Sequence, residues 1–221
     1  DSFVFGFADN GSVLDRGCGV VTYQNPKGTF PNLTTIDFGT GCTDINGREK
    51  KGKLLISITG EMKLQGSSRT ITPENFFVDG VRVEGTRTLT NIGPDASGFL
   101  CFTRVVDNQK LTFPDGASAT WSSSTKLCQI EGGTTKERID DVFTITGTSS
   151  GVNRKGVNFN AQITEALTKK VSCPWFVKGK SKVSDATREV SIDYGNGSCD
   201  KKAVVTLPNG NTKEILIRRW W

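Results

Sequence analysis

An all-β fold, an antiparallel meander of about ten or more strands with little helix, is predicted from three observations. Apolar residues recur at every second position through most of the chain, the period of a half-buried strand. Asn-Gly and Asp-Gly pairs interrupt these runs repeatedly, and such pairs accept the positive φ angles of tight hairpins. The best helical candidate, Asn160 to Lys170, alternates like a strand through its first half.

In chain order, Leu54, Ile56 and Ile58 share one face of a strand over 54–59. Further strands are expected near 81–90, 99–106, 111–113, 118–122 and 142–147, where Thr and β-branched residues fit a pleated surface. Over 157–163, Val157, Phe159, Ala161 and Ile163 face one way and Asn158, Asn160 and Gln162 the other. A strand near 175–183 precedes 190–194, in which Val190, Ile192 and Tyr194 oppose Glu189, Ser191 and Asp193. The last two strands, 203–207 and 213–218, flank Leu207-Pro208-Asn209-Gly210-Asn211-Thr212, a strong hairpin signal. Asn10-Gly11, Asn46-Gly47, Asp79-Gly80, Asp115-Gly116 and Asn196-Gly197 mark other reversals. One apolar face per strand must be buried against a second sheet or against the same sheet curled over, so the architecture is a β-sandwich or a curled barrel-like sheet. The 221 residues form one domain over 1–221, or two similar β halves with a loose boundary between 93 and 133.

Composition narrows the function. Histidine is absent, which excludes Ser-His-Asp and Cys-His nucleophile systems and His-ligated zinc or haem. The net charge of +5 is small, and its clusters, such as Arg48, Lys50, Lys51 and Lys53, sit beside turns, so no nucleic-acid-binding stripe is expected. No apolar run approaches the ~20 residues of a spanning helix, and the first residues lack a signal-peptide pattern, as expected of a trimmed mature form.

Six cysteines are present and none forms a C-x-x-C pair. An even count in a strand-rich chain points to disulfides and an oxidising compartment. Taken in order, Cys18 and Cys42, Cys101 and Cys128, and Cys173 and Cys199 are separated by 24, 27 and 26 residues. Near-equal gaps suit neighbouring strands of a meander, so these three pairings are expected among the 15 possible ones.

An internal echo links Thr35-Ile36-Asp37-Phe38-Gly39-Thr40-Gly41-Cys42-Thr43-Asp44 with Ser191-Ile192-Asp193-Tyr194-Gly195-Asn196-Gly197-Ser198-Cys199-Asp200. Two copies 156 residues apart suggest duplicated halves. Together with D-D-V-F-x-I-T-G over Asp140–Gly147, the motif D-F-G-x-G-C-x-D-x-x-G-R-x-x-x-G over Asp37–Gly52 and D-Y-G-x-G-x-C-D over Asp193–Asp200 resemble a group of uncharacterised secreted lipoprotein-like proteins of Bacteroidetes. The resemblance runs from about residue 33 to 207. It implies export to the periplasm, outer membrane or surface of a Gram-negative cell, with a membrane link through an N-terminal lipid anchor outside this chain. It supplies a compartment and no chemistry.

Two sets of candidate residues follow. Asp37, Asp44, Asp193 and Asp200 bracket glycine-rich turns, a pattern that could gather oxygens around calcium, the one cofactor the sequence suggests. The competing reading is an Asx turn in which Asp accepts backbone N–H groups. Trp121, Trp220 and Trp221 are the candidate aromatic platforms for a polysaccharide or another surface protein, whereas Trp175, after Cys173-Pro174, is expected to pack near a disulfide. Asp140 and Asp141 are adjacent, so on a strand they would point to opposite faces and could not act as a pair, and Asp140 also reads as a turn residue before the strand that begins at Val142. Ser122-Ser123-Ser124-Thr125 reads as a polar loop or strand end, with Lys126 as the only conceivable base. The expected role is that of a non-enzymatic binding or structural module, carbohydrate-binding in its most specific form; the alternative is a glycoside hydrolase-like enzyme using a carboxylate pair.

Overall fold

The computed structural model describes residues 18–45 and 47–217. Trp220, Trp221, Asn10, Asn46 and the end of the strand expected over 213–218 lie outside them. Every regular element among the described residues is a strand: β1 (Val20–Tyr23), β2 (Asn32–Asp37), β3 (Cys42–Thr43), β4 (Glu49–Ile58), β5 (Ser68–Val78), β6 (Val81–Pro94), β7 (Leu100–Thr112), β8 (Ser118–Glu131), β9 (Val142–Val152), β10 (Asn158–Lys170), β11 (Phe176–Ser184), β12 (Glu189–Asn196), β13 (Lys202–Thr206) and β14 (Thr212–Leu216). They form one antiparallel sheet in the order β1-β2-β4-β5-β6-β7-β8-β9-β10-β11-β12-β13-β14, with β3 joining β4 beside the end of β2. The two edges, β1 and β14, do not pair, so the sheet is curled but not closed into a barrel. It runs unbroken through 93–133, where β6 and β8, at 14 residues each, are the longest strands.

Alternation buries one face. In β8 the inward positions are Ala119, Trp121, Ser123, Thr125 and Leu127, each buried. Two apolar clusters occupy that face. The first draws Ile36, Leu54, Ile56, Phe76, Val83, Val106, Leu111 and Trp121 from β2 to β8. The second draws Leu127, Ile145, Leu167, Phe176, Ile192 and Tyr194 from β8 to β12. Phe159 of β10 packs against both. Between them the inward positions are small or polar, as at Ser123, Thr125, Ser149 and Ser181.

The curl comes from bulges, which bend a strand and increase its twist. β5 carries an extra residue at Asn75 (φ 45°), opposite Gly52 of β4, and β7 does so at Asn108 (φ 47°), opposite Gly85 of β6. The bulge in β7 shifts the phase of alternation, which is why 99–106 and 111–113 read as two strands in the sequence but form one.

All three predicted disulfides are present. Cα separations are 5.7 Å for Cys18–Cys42, 4.1 Å for Cys101–Cys128 and 5.7 Å for Cys173–Cys199. Cys101 and Cys128 stand directly opposite each other on β7 and β8.

Candidate functional site

The outward face of the central strands bows into an open groove of about 520 Å³. Directly opposed residues of antiparallel neighbours point to the same face, so the register writes out its lining. One row crosses the strands as Ser124, Thr148, Gln162 and Lys182. A second, parallel row runs Ser122, Ser150, Asn160, Ser184 and Glu189. Between these rows the inward side chains of β8, β9 and β10, Ser123, Ser149 and Ala161, are small and buried, and that of β11 is Val183, half-buried against the second cluster. Ser149 Oγ donates to the Ser122 carbonyl at 3.1 Å, tying β9 to β8 beneath the groove.

The groove floor is uncharged. Its ionic groups lie at the rims: Asp107 on β7, and the Lys182–Glu189 pair at 2.8 Å on β11 and β12. That pair is solvent-exposed and contributes at most ~1 kcal/mol. Hydroxyls both donate and accept hydrogen bonds, and each carboxamide offers two donors and one acceptor oxygen. The surface therefore suits a neutral, hydroxyl-rich ligand. It is poorly arranged for glycoside hydrolysis, which needs two carboxyl groups roughly 5–9 Å apart. Asp107 and Glu189 stand five strand spacings of ~4.8 Å apart along the sheet.

Several sequence expectations require correction. Trp121 is no exposed platform: it is 5% accessible in the first apolar cluster, because the odd-numbered positions of β8 face inward. Trp175 is partly buried against the second cluster. Ser122 to Thr125 is the middle of β8 rather than a loop or strand end; Ser122 and Ser124 line the groove while Ser123 and Thr125 are buried.

The four aspartates do not converge on a cation. Asp44 is buried and holds Arg48 and Lys50 at 3.0 Å each, so its negative charge is already neutralised. Asp37 accepts the Gly39 N–H at 2.8 Å and pairs with Lys53 at 3.3 Å. Asp193 accepts the Gly195 N–H at 2.9 Å, and Asp200 the Lys202 N–H at 3.0 Å. These are the Asx turns of the competing reading. An ion held by the folded protein at 100 times its Kd would add about 2.7 kcal/mol. Melting with calcium and with excess chelator is therefore expected to give superimposable curves; a lower melting temperature in chelator would restore the calcium site.

The echo has a structural counterpart. Phe38 and Tyr194, the aromatic residues of the two copies, are both buried, packing on Phe76 and Phe176 with ring centroids 5.4 and 5.3 Å apart. Each copy also pairs with a Lys-Gly-Lys segment on the adjacent strand. Lys53 follows Gly52 and faces Asp37; Lys180 follows Gly179 and faces Asp193. The Gly39 N–H, and after it Lys53, holds the Asp37 carboxyl below its usual range. Glu165, at 3.3 Å, and then Asp193 raise the Lys180 amine. Burial pushes the Tyr194 phenol up against the opposing effect of Ser181. The Lys-Gly-Lys strand follows the first copy in the chain but precedes the second. A tandem duplication would preserve that order. The echo is thus one local device used twice, with the strand order reversed.

Compared with family models, with curated proteins and with solved structures, the chain finds no match in any of the three.

Proposed function

We propose that this protein is an exported binding module that holds a neutral polysaccharide on the concave face of β8 to β11. One observation carries the reading: across β8, β9 and β10 the groove is lined by two rows of hydroxyl and carboxamide side chains, with its ionic groups Asp107, Lys182 and Glu189 at the rims. Such groups hydrogen-bond sugar hydroxyls without the desolvation cost of a buried charge. Export rests on the three disulfides, which are compatible with an oxidising compartment. Placement at the periplasm, outer membrane or surface of a Gram-negative cell, with an N-terminal lipid anchor, rests on the motif resemblance.

A glycan-array screen of the protein, followed by calorimetry on the hits, tests the reading. Replacing Asn160 and Gln162 together by Ala removes two exposed groove carboxamides. At about 1 kcal/mol per hydrogen bond, each loss weakens binding about fivefold and the pair roughly 25-fold. Thermal stability should be nearly unchanged, because both side chains are solvent-exposed. Absence of binding to any neutral glycan would reject the reading.

A further inference from the structure

The spacing of the groove's hydrogen-bonding groups narrows the ligand further. Ser124, Thr148 and Gln162 occupy one row, and Ser122, Ser150 and Asn160 the other, one residue of each row per strand on β8, β9 and β10. Successive strands lie ~4.8 Å apart, whereas same-face residues along one strand are about 6.7 Å apart. The polar pairs thus repeat across the strands at the shorter distance, and the two rows stand apart by the longer one. An extended β-linked hexose chain advances by about one strand spacing per sugar. The hydroxyls on opposite edges of its pyranose ring span about the distance between the rows.

We infer that the ligand is an extended, β-linked, neutral oligosaccharide lying across β8, β9 and β10, one sugar per strand, with each sugar meeting one residue from each row. This rests on the polysaccharide-binding reading and specifies its substrate class. An α-1,4-linked glucose chain coils, and its sugars fall out of step with the strands after one or two contacts. A polyuronate brings carboxylates to a floor that offers no cation to balance them; the one amine in the groove is already paired at its rim.

Calorimetry with β-1,4-linked glucose, mannose and xylose oligomers from dimer to hexamer tests this directly, with α-1,4-linked glucose and galacturonate oligomers of the same lengths as comparators. The expected result is affinity that climbs steeply to the trimer and levels off beyond the tetramer for at least one β-linked series. At equal length the α-linked and acidic series should bind about tenfold more weakly or worse. Gln162→Ala should weaken the trimer about fivefold with little effect on the dimer, because the dimer can occupy the other two strands. Equal or tighter binding of the α-linked or acidic series, or a length dependence that stops at the dimer, overturns the inference while leaving a glycan-binding protein. Failure of every glycan to bind removes both.

Discussion

Reduction of the three disulfides is expected to unfold the protein near room temperature, or to lower its melting temperature by roughly 20–40 °C at the ~2–4 °C per kcal/mol typical of this size. The bridges close loops of 24, 27 and 26 residues. The chain-entropy argument assigns each such loop about 3.5 kcal/mol, through restriction of the unfolded chain. They lie far apart in the sheet: Cys18–Cys42 joins the start of the described chain to β3, Cys101–Cys128 staples β7 to β8, and Cys173–Cys199 joins the loops after β10 and β12. Contributions from distant sites add, which gives about 10 kcal/mol against a total of ~5–15 kcal/mol for an ordinary domain. The apolar interior has little to spare. Hydrophobic residues are 35% of the chain, and the inward face is interrupted by a small, polar stretch between its two clusters. Far-UV circular dichroism melts with and without reductant measure the effect. A reduced protein melting within a few degrees of the oxidised one would show that the sheet is held by its clusters alone. The paired variant Cys173→Ser with Cys199→Ser should lose about one third of the full effect.

How far the fold could be read from the sequence depended on what each strand buries. β10 and β12 alternate apolar with polar residues, because each sends Ile, Ala or an aromatic ring into the second cluster. The order and pairing of the cysteines were equally readable, since a meander places near neighbours in sequence side by side in space. β5 was missed because it contains Pro73 and a phase-shifting bulge at Asn75. β2 was hidden by the polar residues at its inward positions, where Asn32 and Thr34 are buried alongside Ile36. The middle of β8 failed for the same reason: Ser123 and Thr125 are buried, and nothing distinguishes them in type from outward-facing Ser122 and Ser124. The groove itself was only half legible. The outward set Asn158, Asn160 and Gln162 was evident, but that the sheet bows inward there depends on contacts between strands. The aromatic residues are the more conspicuous signal in the sequence, but Trp121 belongs to the core.

Alanine at Gly52 or Gly179 is expected to cost about 3 kcal/mol or more, far beyond the cost at a turn glycine of similar φ. Gly52 lies at φ 85° and Gly179 at φ 104°, where a side chain strains the backbone by about 1–3 kcal/mol. Their second constraint comes from across the ladder. A Cβ on Gly52 would overlap the Asn75 carbonyl in the bulge of β5, and one on Gly179 the Ala166 carbonyl of β10. Both obstacles are backbone, so relief requires the strands to separate, at a further ~1–3 kcal/mol of overpacking. Gly116, at φ 82° with open space around it, isolates the first effect. Chemical denaturation of Gly52→Ala, Gly179→Ala and Gly116→Ala then separates the two contributions. Equal losses in all three would mean that the glycine–bulge contacts do not set the curl. A larger loss at the first two identifies them as the hinges about which this sheet bends. It would also explain why Lys-Gly-Lys accompanies both copies of the Asp-aromatic-Gly turn. The glycine lets the neighbouring strand's bulge approach, and the following lysine meets the aspartate that the bend brings opposite it.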